Sequence, residues 1–274
     1  MTDTYLSTPI EIDNPVADAH LNQDVLTLLT QQGNIHQVSI GDFANTFSFR
    51  NVDIQTVQQV GEHVIAGKSR TSGFQSPLLR IDPDTMETVP IDDDAILIFA
   101  MEYDPNRNLL YTLSLVEGRQ ADTTETVLRV HPGNSLERSR IIDRFEGEDL
   151  SAEIFFDSQR NRLYSSLGRS RLSYWNGSRM IQMQATAYIP RTVSGTGDLV
   201  WAANNNGTVS FWQAGNGVYI GTLAVLENGN WVFISPLGGF LSSDDFDPGV
   251  GLSLPLSPRA PKELIEMYRV RVPF

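Results

Sequence analysis

Four imidazoles, His20, His36, His63 and His131, are the natural place to look for metal or acid–base chemistry in this chain, which has no cysteine. A zinc site takes three or four ligands, and helical sites often announce themselves by a His-x-x-x-His or Glu-x-x-His spacing. Neither spacing occurs, so the four are read as strand-end or surface histidines and no metal is assigned. Zero cysteine also removes disulfides, thiolate nucleophiles and cysteine-based zinc sites.

Carboxylates come next. Asp92–Asp94 and Asp244–Asp247 offer oxygen ligands of the kind calcium prefers. Neither follows the spaced Asp-x-Asp/Asn-x-Asp/Asn-Gly loop, and consecutive like charges repel, so both are read as solvated loop charges. Asp82-Pro-Asp84 reads as a turn. Glu102, Asp53, Asp198 and Glu153 lie on or beside expected strands, where two opposed acids would suit glycoside hydrolysis. Nothing in their spacing selects a pair. Thr192–Gly197 lacks the strand-to-helix setting of a nucleophilic serine and reads as a loop. No phosphate-binding Gly-x-x-x-x-Gly-Lys loop occurs. No catalytic or metal residue is therefore assigned, no cofactor is expected, and the binding residues stay unassigned.

The elements that would have to position any site are strands. Tyr103-Asp-Pro-Asn-Arg-Asn-Leu-Leu-Tyr111 recurs 53 residues later as Phe156-Asp-Ser-Gln-Arg-Asn-Arg-Leu-Tyr164. Asp, Asn and Pro favour turns and the flanking Leu and Tyr favour packing, so each copy reads as strand, tight turn, strand. A looser alternating strand ending in a turn occurs five times: His36–Ile40, Leu78–Ile81, Val127–Val130, Arg171–Tyr174 and Thr208–Phe211. Aligning Val38, Leu79, Leu128, Leu172 and Val209 gives spacings of 41, 49, 44 and 37 residues. A four-stranded β-propeller blade needs about 40–50 residues.

Apolar strands are expected before each shared strand, at Val25–Leu29, Val64–Ala66, Leu109–Leu115, Leu163–Ser166 and Leu199–Ala203. Shorter ones are expected after it, at Glu87–Ile91, Ser139–Asp143, Met180–Met183 and Val218–Val225. Glu117–Glu125 reads as a rim loop, and Asn176-Gly and Asn205-Asn-Gly as hairpin turns. The expected architecture is all-β, a single β-propeller domain over 1–274 with five or six four-stranded blades. Its blades fall near 13–43, 44–94, 95–148, 149–185 and 186–228. A hairpin at 229–243 would pair with an N-terminal strand, Tyr5–Ile12, to close the ring. A tail at 244–274 includes one or two helical turns at Pro261–Met267.

The phrase Asp-x-x-Arg-Asn-x-Leu-Tyr, followed by Leu172-Ser-Tyr-Trp-Asn-Gly177, resembles the repeat of YVTN-type and WD40-like propellers. The stretch from Ser210-Phe-Trp212 to Trp231-Val-Phe-Ile-Ser-Pro-Leu-Gly is similar to the last blade of bacterial WD40-repeat proteins. The Trp-Asp and Gly-His pairs of the true WD pattern are absent, so packing must hold the blades. The resemblance implies an interaction platform rather than chemistry. Trp175, Trp201, Trp212 and Trp231 are accordingly read as layers between blades, although tryptophan also anchors interfaces.

A net charge of −13 repels phosphate backbones and anionic bilayers, which argues against nucleic acid as partner and favours solubility. No segment has the apolar length for membrane insertion. The start of the chain shows no signal peptide, which favours the cytoplasm while leaving the compartment open. The expected function is a non-catalytic scaffold presenting a rigid acidic face to a protein or small ligand. Candidate contacts are the loops near Asp104–Asn108, Asp157–Asn161 and Ser194–Asp198. The alternatives are an enzyme with its pocket at the central channel, a glycoside hydrolase or metal-dependent lactonase, and a structural domain whose partner is the rest of a longer parent chain.

Overall fold

The computed structural model describes residues 14–22, 24–40, 45–50, 54–68, 76–91, 93–168, 171–186, 188–225, 230–237 and 239–243. All regular structure among them is β. The chain divides into two compact units, Met1–Leu150 and Ser151–Phe274.

The first unit holds three four-stranded antiparallel sheets. These are β1 (Val16–Asn22), β2 (Val25–Thr30), β3 (Asn34–Ser39) and β4 (Asn45–Arg50); β5 (Ile54–Val60), β6 (His63–Lys68), β7 (Leu78–Ile81) and β8 (Thr88–Ile91); and β9 (Leu97–Asp104), β10 (Leu109–Glu117), β11 (Thr124–Pro132) and β12 (Arg140–Glu146). Each is an up-and-down meander in sequence order, the connectivity of a propeller blade. The alternating residues dictate this. Leu29 and Ile35 of the first sheet bury against Ile54, Val57, Val64 and Leu79 of the second. The other face of the second sheet, Val60, Ile65, Leu78 and Ile91, buries against Ile98, Leu110 and Val127 of the third. The first strands contact one another, β1 with β5 and β5 with β9.

The second unit repeats the pattern with β13 (Ile154–Asp157), β14 (Arg162–Ser165), β15 (Ser173–Trp175) and β16 (Met180–Gln182). Its other sheet has six strands: β17 (Pro190–Thr196), β18 (Leu199–Asn204), β19 (Val209–Gln213), β20 (Tyr219–Val225), β21 (Trp231–Ile234) and β22 (Phe240–Ser242). Tyr164, Leu172 and Tyr174 of one sheet pack on Val193, Val200, Ala202 and Trp212 of the other. Trp212 is 1% exposed, and its indole N–H donates to Gln184 O at 2.9 Å. Both needs of a buried tryptophan, area and a partner for its N–H, are met here.

Three expectations change. Asn45–Arg50 pairs with β3, so the first repeat runs to Arg50 rather than ending at 43. Thr192–Gly197 is not a loop, because Pro190–Thr196 forms the first strand of the last sheet. Pro is tolerated there because it opens the strand. The hairpin at 229–243 extends the last sheet from β20 by antiparallel pairing. Its expected partner, Tyr5–Ile12, and the expected helical turns at Pro261–Met267 lie outside the described residues. The shared alternating strands are β3, β7, β11, β15 and β19, one in each of the five sheets.

Candidate functional site

The repeated Asp-x-x-Arg-Asn phrase is a turn device. Asp104 Oδ1 accepts the N–H groups of Asn106 and Arg107 at 3.0 and 3.2 Å. Asp157 Oδ1 does the same for Gln159 and Arg160, at 3.0 and 3.2 Å. In each turn the arginine folds back on the aspartate, Arg107 Nε on Asp104 Oδ2 and Arg160 Nη1 on Asp157 Oδ2. The asparagine then takes the left-handed conformation that brings the chain back, φ 52° at Asn108 and 57° at Asn161. Asn tolerates this region because its short side chain bonds locally.

The two copies differ in where the guanidinium goes next. Arg107 Nη2 donates to the Tyr111 hydroxyl of its own sheet at 3.2 Å. Arg160 reaches the neighbouring sheet, where Nη1 donates to Gly197 O and Nη2 to Asp198 Oδ1, each at 2.5 Å. The candidate loops Asp157–Asn161 and Ser194–Asp198 are therefore brought together. Asp104–Asn108 belongs to the other unit and forms its own turn.

Between the joined turns lies a groove of about 260 Å³, lined by Phe155, Phe156, Asp157, Ser158, Gln159, Gly195, Thr196 and Gly197. Gly195 makes it possible. A Cβ there would stand 2.9 Å from the Phe155 ring and 2.9 Å from Leu199 O, so only glycine lets the ring lie against β17. Ser158, Gln159 and Thr196 are exposed, and Asp157 is neutralised by Arg160. The groove thus combines an aromatic wall with uncharged hydrogen-bonding groups. The sequence reading missed Phe155 and Gly195 because their roles depend on two strands meeting about 40 residues apart.

The other candidates fall into place individually. His131 is fully buried: Nδ1 donates to Leu136 O at 2.8 Å, which leaves Nε2 to accept from the Thr112 hydroxyl at 3.1 Å. Burial pushes its pKa down, so the neutral ring, at the end of β11 as expected, is a buried structural bridge and not a surface group. His20 lies 3.0 Å from Asp18 Oδ1. Burial opposes its charge, but the Asp18 carboxylate, together with Glu102, outweighs burial and raises the pKa. His36 sits in β3 and His63 opens β6. Among the described residues no three His, Asp or Glu side chains cluster as a metal site would require.

Asp93 overturns the reading of Asp92–Asp94 as solvated charges. It is buried, accepts the Ala95 N–H at 2.8 Å, and takes Arg129 Nη1 at 3.3 Å, while Arg129 Nη2 pairs with the exposed Asp94. A cation 36 residues away, invisible to local spacing, explains the burial. Asp92, Asp53 and Asp244–Asp247 lie outside the described residues. Of the strand carboxylates, Asp198 is held by Arg160, Glu153 lies 3.4 Å from the Thr192 hydroxyl, and Glu102, within the first unit, acts electrostatically on His20 of that same unit. Trp175 and Trp212 are buried layers, Trp201 is half-buried, and Trp231 is exposed.

No protein family profile matches the sequence, and no curated protein matches it either. Among solved structures the chain is similar to Kluyveromyces lactis Hsv2. That likeness has a TM-score of 0.50 at 13% identity, over 85% of this chain and 75% of that one. Together with the five meander sheets it shows the fold, a β-propeller. No helix among the described residues is long and apolar enough to cross a membrane.

Proposed function

We propose that this chain is a non-catalytic interaction platform of the WD40-like kind, working in the cytoplasm, whose groove between the Asp157–Asn161 and Gly197–Asp198 turns receives a loop or peptide of a protein partner. The observation that carries the reading is the Arg160 bridge, which ties the turns of two sheets to each other and leaves the groove walls between them. Preorganised turns lose little conformational entropy on binding. At about 260 Å³ the groove is below the range of roughly 300–1,000 Å³ typical of small-molecule sites. That size suits one or two side chains of a larger partner better than a whole substrate. The Asp198 carboxylate, a candidate for acid–base work, is occupied by a guanidinium in this arrangement.

Filling the groove tests the reading. Wild-type chain and Thr196→Trp are used as parallel baits in lysate of the source organism, with mass spectrometry as readout. A protein captured by wild type and lost with Thr196→Trp is expected. Capture that is indifferent to Thr196→Trp contradicts the groove as the contact.

A further inference from the structure

The last sheet is apolar on both faces where it extends past four strands. Val232 and Phe240 point to the covered side and are 2% and 3% exposed. On the opposite side the register aligns Val225 with Trp231, Leu223 with Phe233, and Phe233 with Leu241. Among the described residues those five side chains line a hollow of about 530 Å³. Val225 is 64% and Trp231 36% exposed. Phe233 also leans over Gly221 to meet Phe211, with ring centroids 6.0 Å apart. A strand facing water on one side alternates apolar with polar residues, whereas Trp231-Val-Phe-Ile234 is apolar throughout, the pattern of a strand covered on both sides. Contiguous apolar patches of this kind mark surfaces that something covers.

The chain itself supplies a fitting cover. It leaves the hairpin at Ser243, which is tied to Trp231 by two hydrogen bonds, Ser243 N to Trp231 O at 3.1 Å and Trp231 N to Ser243 Oγ at 3.3 Å. Beyond it, Val250, Leu252, Leu254 and Leu256 alternate with Gly251, Ser253 and Pro255. Period-two alternation gives an extended segment one apolar side. Pro255 cannot donate to a ladder, which favours docking by side chains over joining the sheet as a central strand. The six residues 244–249 extend to about 20 Å. The face from β22 to β20 spans about 10 Å, at ~4.8 Å per strand. Reach is therefore sufficient. We propose that Val250–Leu256 folds back across Leu223, Val225, Trp231, Phe233 and Leu241 as an intramolecular strap, the four apolar side chains filling the hollow. This inference is independent of the groove described above.

The cysteine-free background makes the test direct. Val225→Cys is combined with Leu254→Cys in the full chain and oxidised. The comparison pair is Val218→Cys with Leu254→Cys, since Val218 is exposed at the other end of β20. The strap predicts an intramolecular disulfide that forms about tenfold faster for the Val225 pair, as raised effective concentration requires. In a second measurement, Leu252→Asp with Leu254→Asp should speed alkylation of Val225→Cys and raise binding of an apolar dye, with the far-ultraviolet circular dichroism unchanged. Equal disulfide rates for the two pairs, cross-links only between molecules, or alkylation unmoved by the aspartates would overturn the proposal. Intermolecular cross-links alone would assign the face to a second copy instead.

Discussion

The Arg160 guanidinium donates to the Asp198 carboxylate at 2.5 Å across 38 residues of sequence, joining the first turn of one sheet to the first turn of the next. Asp198 is itself almost fully exposed, so water and salt weaken the charge attraction. The bridge should therefore matter to the order of the turns more than to global stability. Arg160→Ala is expected to leave the urea midpoint of unfolding close to wild type while amide exchange at Gly197, Asp198 and Gln159 accelerates. A large fall in the midpoint with unchanged local exchange would assign Arg160 to the core of stability instead.

The left-handed asparagines give a sharper mutational contrast. Asn161→Ala keeps a Cβ at φ 57° but gives up the short polar side chain that makes this region tolerable to asparagine, at a cost of about 1–2 kcal/mol. Asn161→Gly relieves the steric part and should stay close to wild type. The same order is expected at Asn108, whose φ is 52°. Equilibrium unfolding of the four variants checks this, and equal losses for Ala and Gly would show that the backbone conformation is not the reason for Asn.

Asp93 and Asp94 are neighbours in sequence that share one arginine but differ in burial, with side chains 2% and 76% exposed. Removing Asp93 leaves the buried Arg129 charge with only the exposed Asp94 as counter-charge, which should cost a large part of the roughly 3–5 kcal/mol typical of an unpaired buried ion. Asp94→Ala should cost well under about 1 kcal/mol, as exposed pairs do. Unfolding free energies for the two variants measure the difference, and similar losses would contradict the assigned burial.

Two histidines should pull the pH dependence of stability in opposite directions. His20 has a raised pKa, so its contribution is full below the unfolded value of 6.5 and is lost as pH rises through the folded value. The carboxylate half of that pair, Asp18, is raised by burial but lowered further by His20, Thr56 and the Val57 N–H, so its contribution is lost only as pH falls through its depressed folded value. His131 has a lowered pKa, so its contribution is full above the unfolded value of 6.5 and is lost as pH falls. Urea titrations between about pH 5 and 8, the range in which histidine titrates, resolve the two. His20→Gln should remove stability mainly at the acidic end, and His131→Asn should flatten the acid-side loss. The reverse pattern would contradict the geometry at both sites.

The legible part of the fold was local. Asp104 and Asp157 announce their turns because every hydrogen bond that makes the turn lies within four residues. Alternation located β3, β7, β11, β15 and β19 for the same reason. Pro190–Thr196 escaped notice because Pro, Ser, Gly and Thr read as loop, and only the Phe155 ring on the neighbouring sheet explains why β17 needs Gly195. Asp93 escaped because its counter-charge is on β11. The loops Asp157–Asn161 and Ser194–Asp198 were both visible as candidates. Their union was not, since nothing local distinguishes Arg160, which crosses to the next sheet, from Arg107, which stays on its own.

The claim that the groove is a protein-binding surface is tested most directly by placing a photo-crosslinking side chain at Gln159, on the groove wall, and separately at Val89, exposed on β8 of the other unit. Both proteins are irradiated in lysate of the source organism. A discrete adduct of one added protein mass from position 159, absent from position 89 and abolished by Thr196→Trp, is the predicted result. No adduct at 159, or the same adducts at both positions, would contradict it.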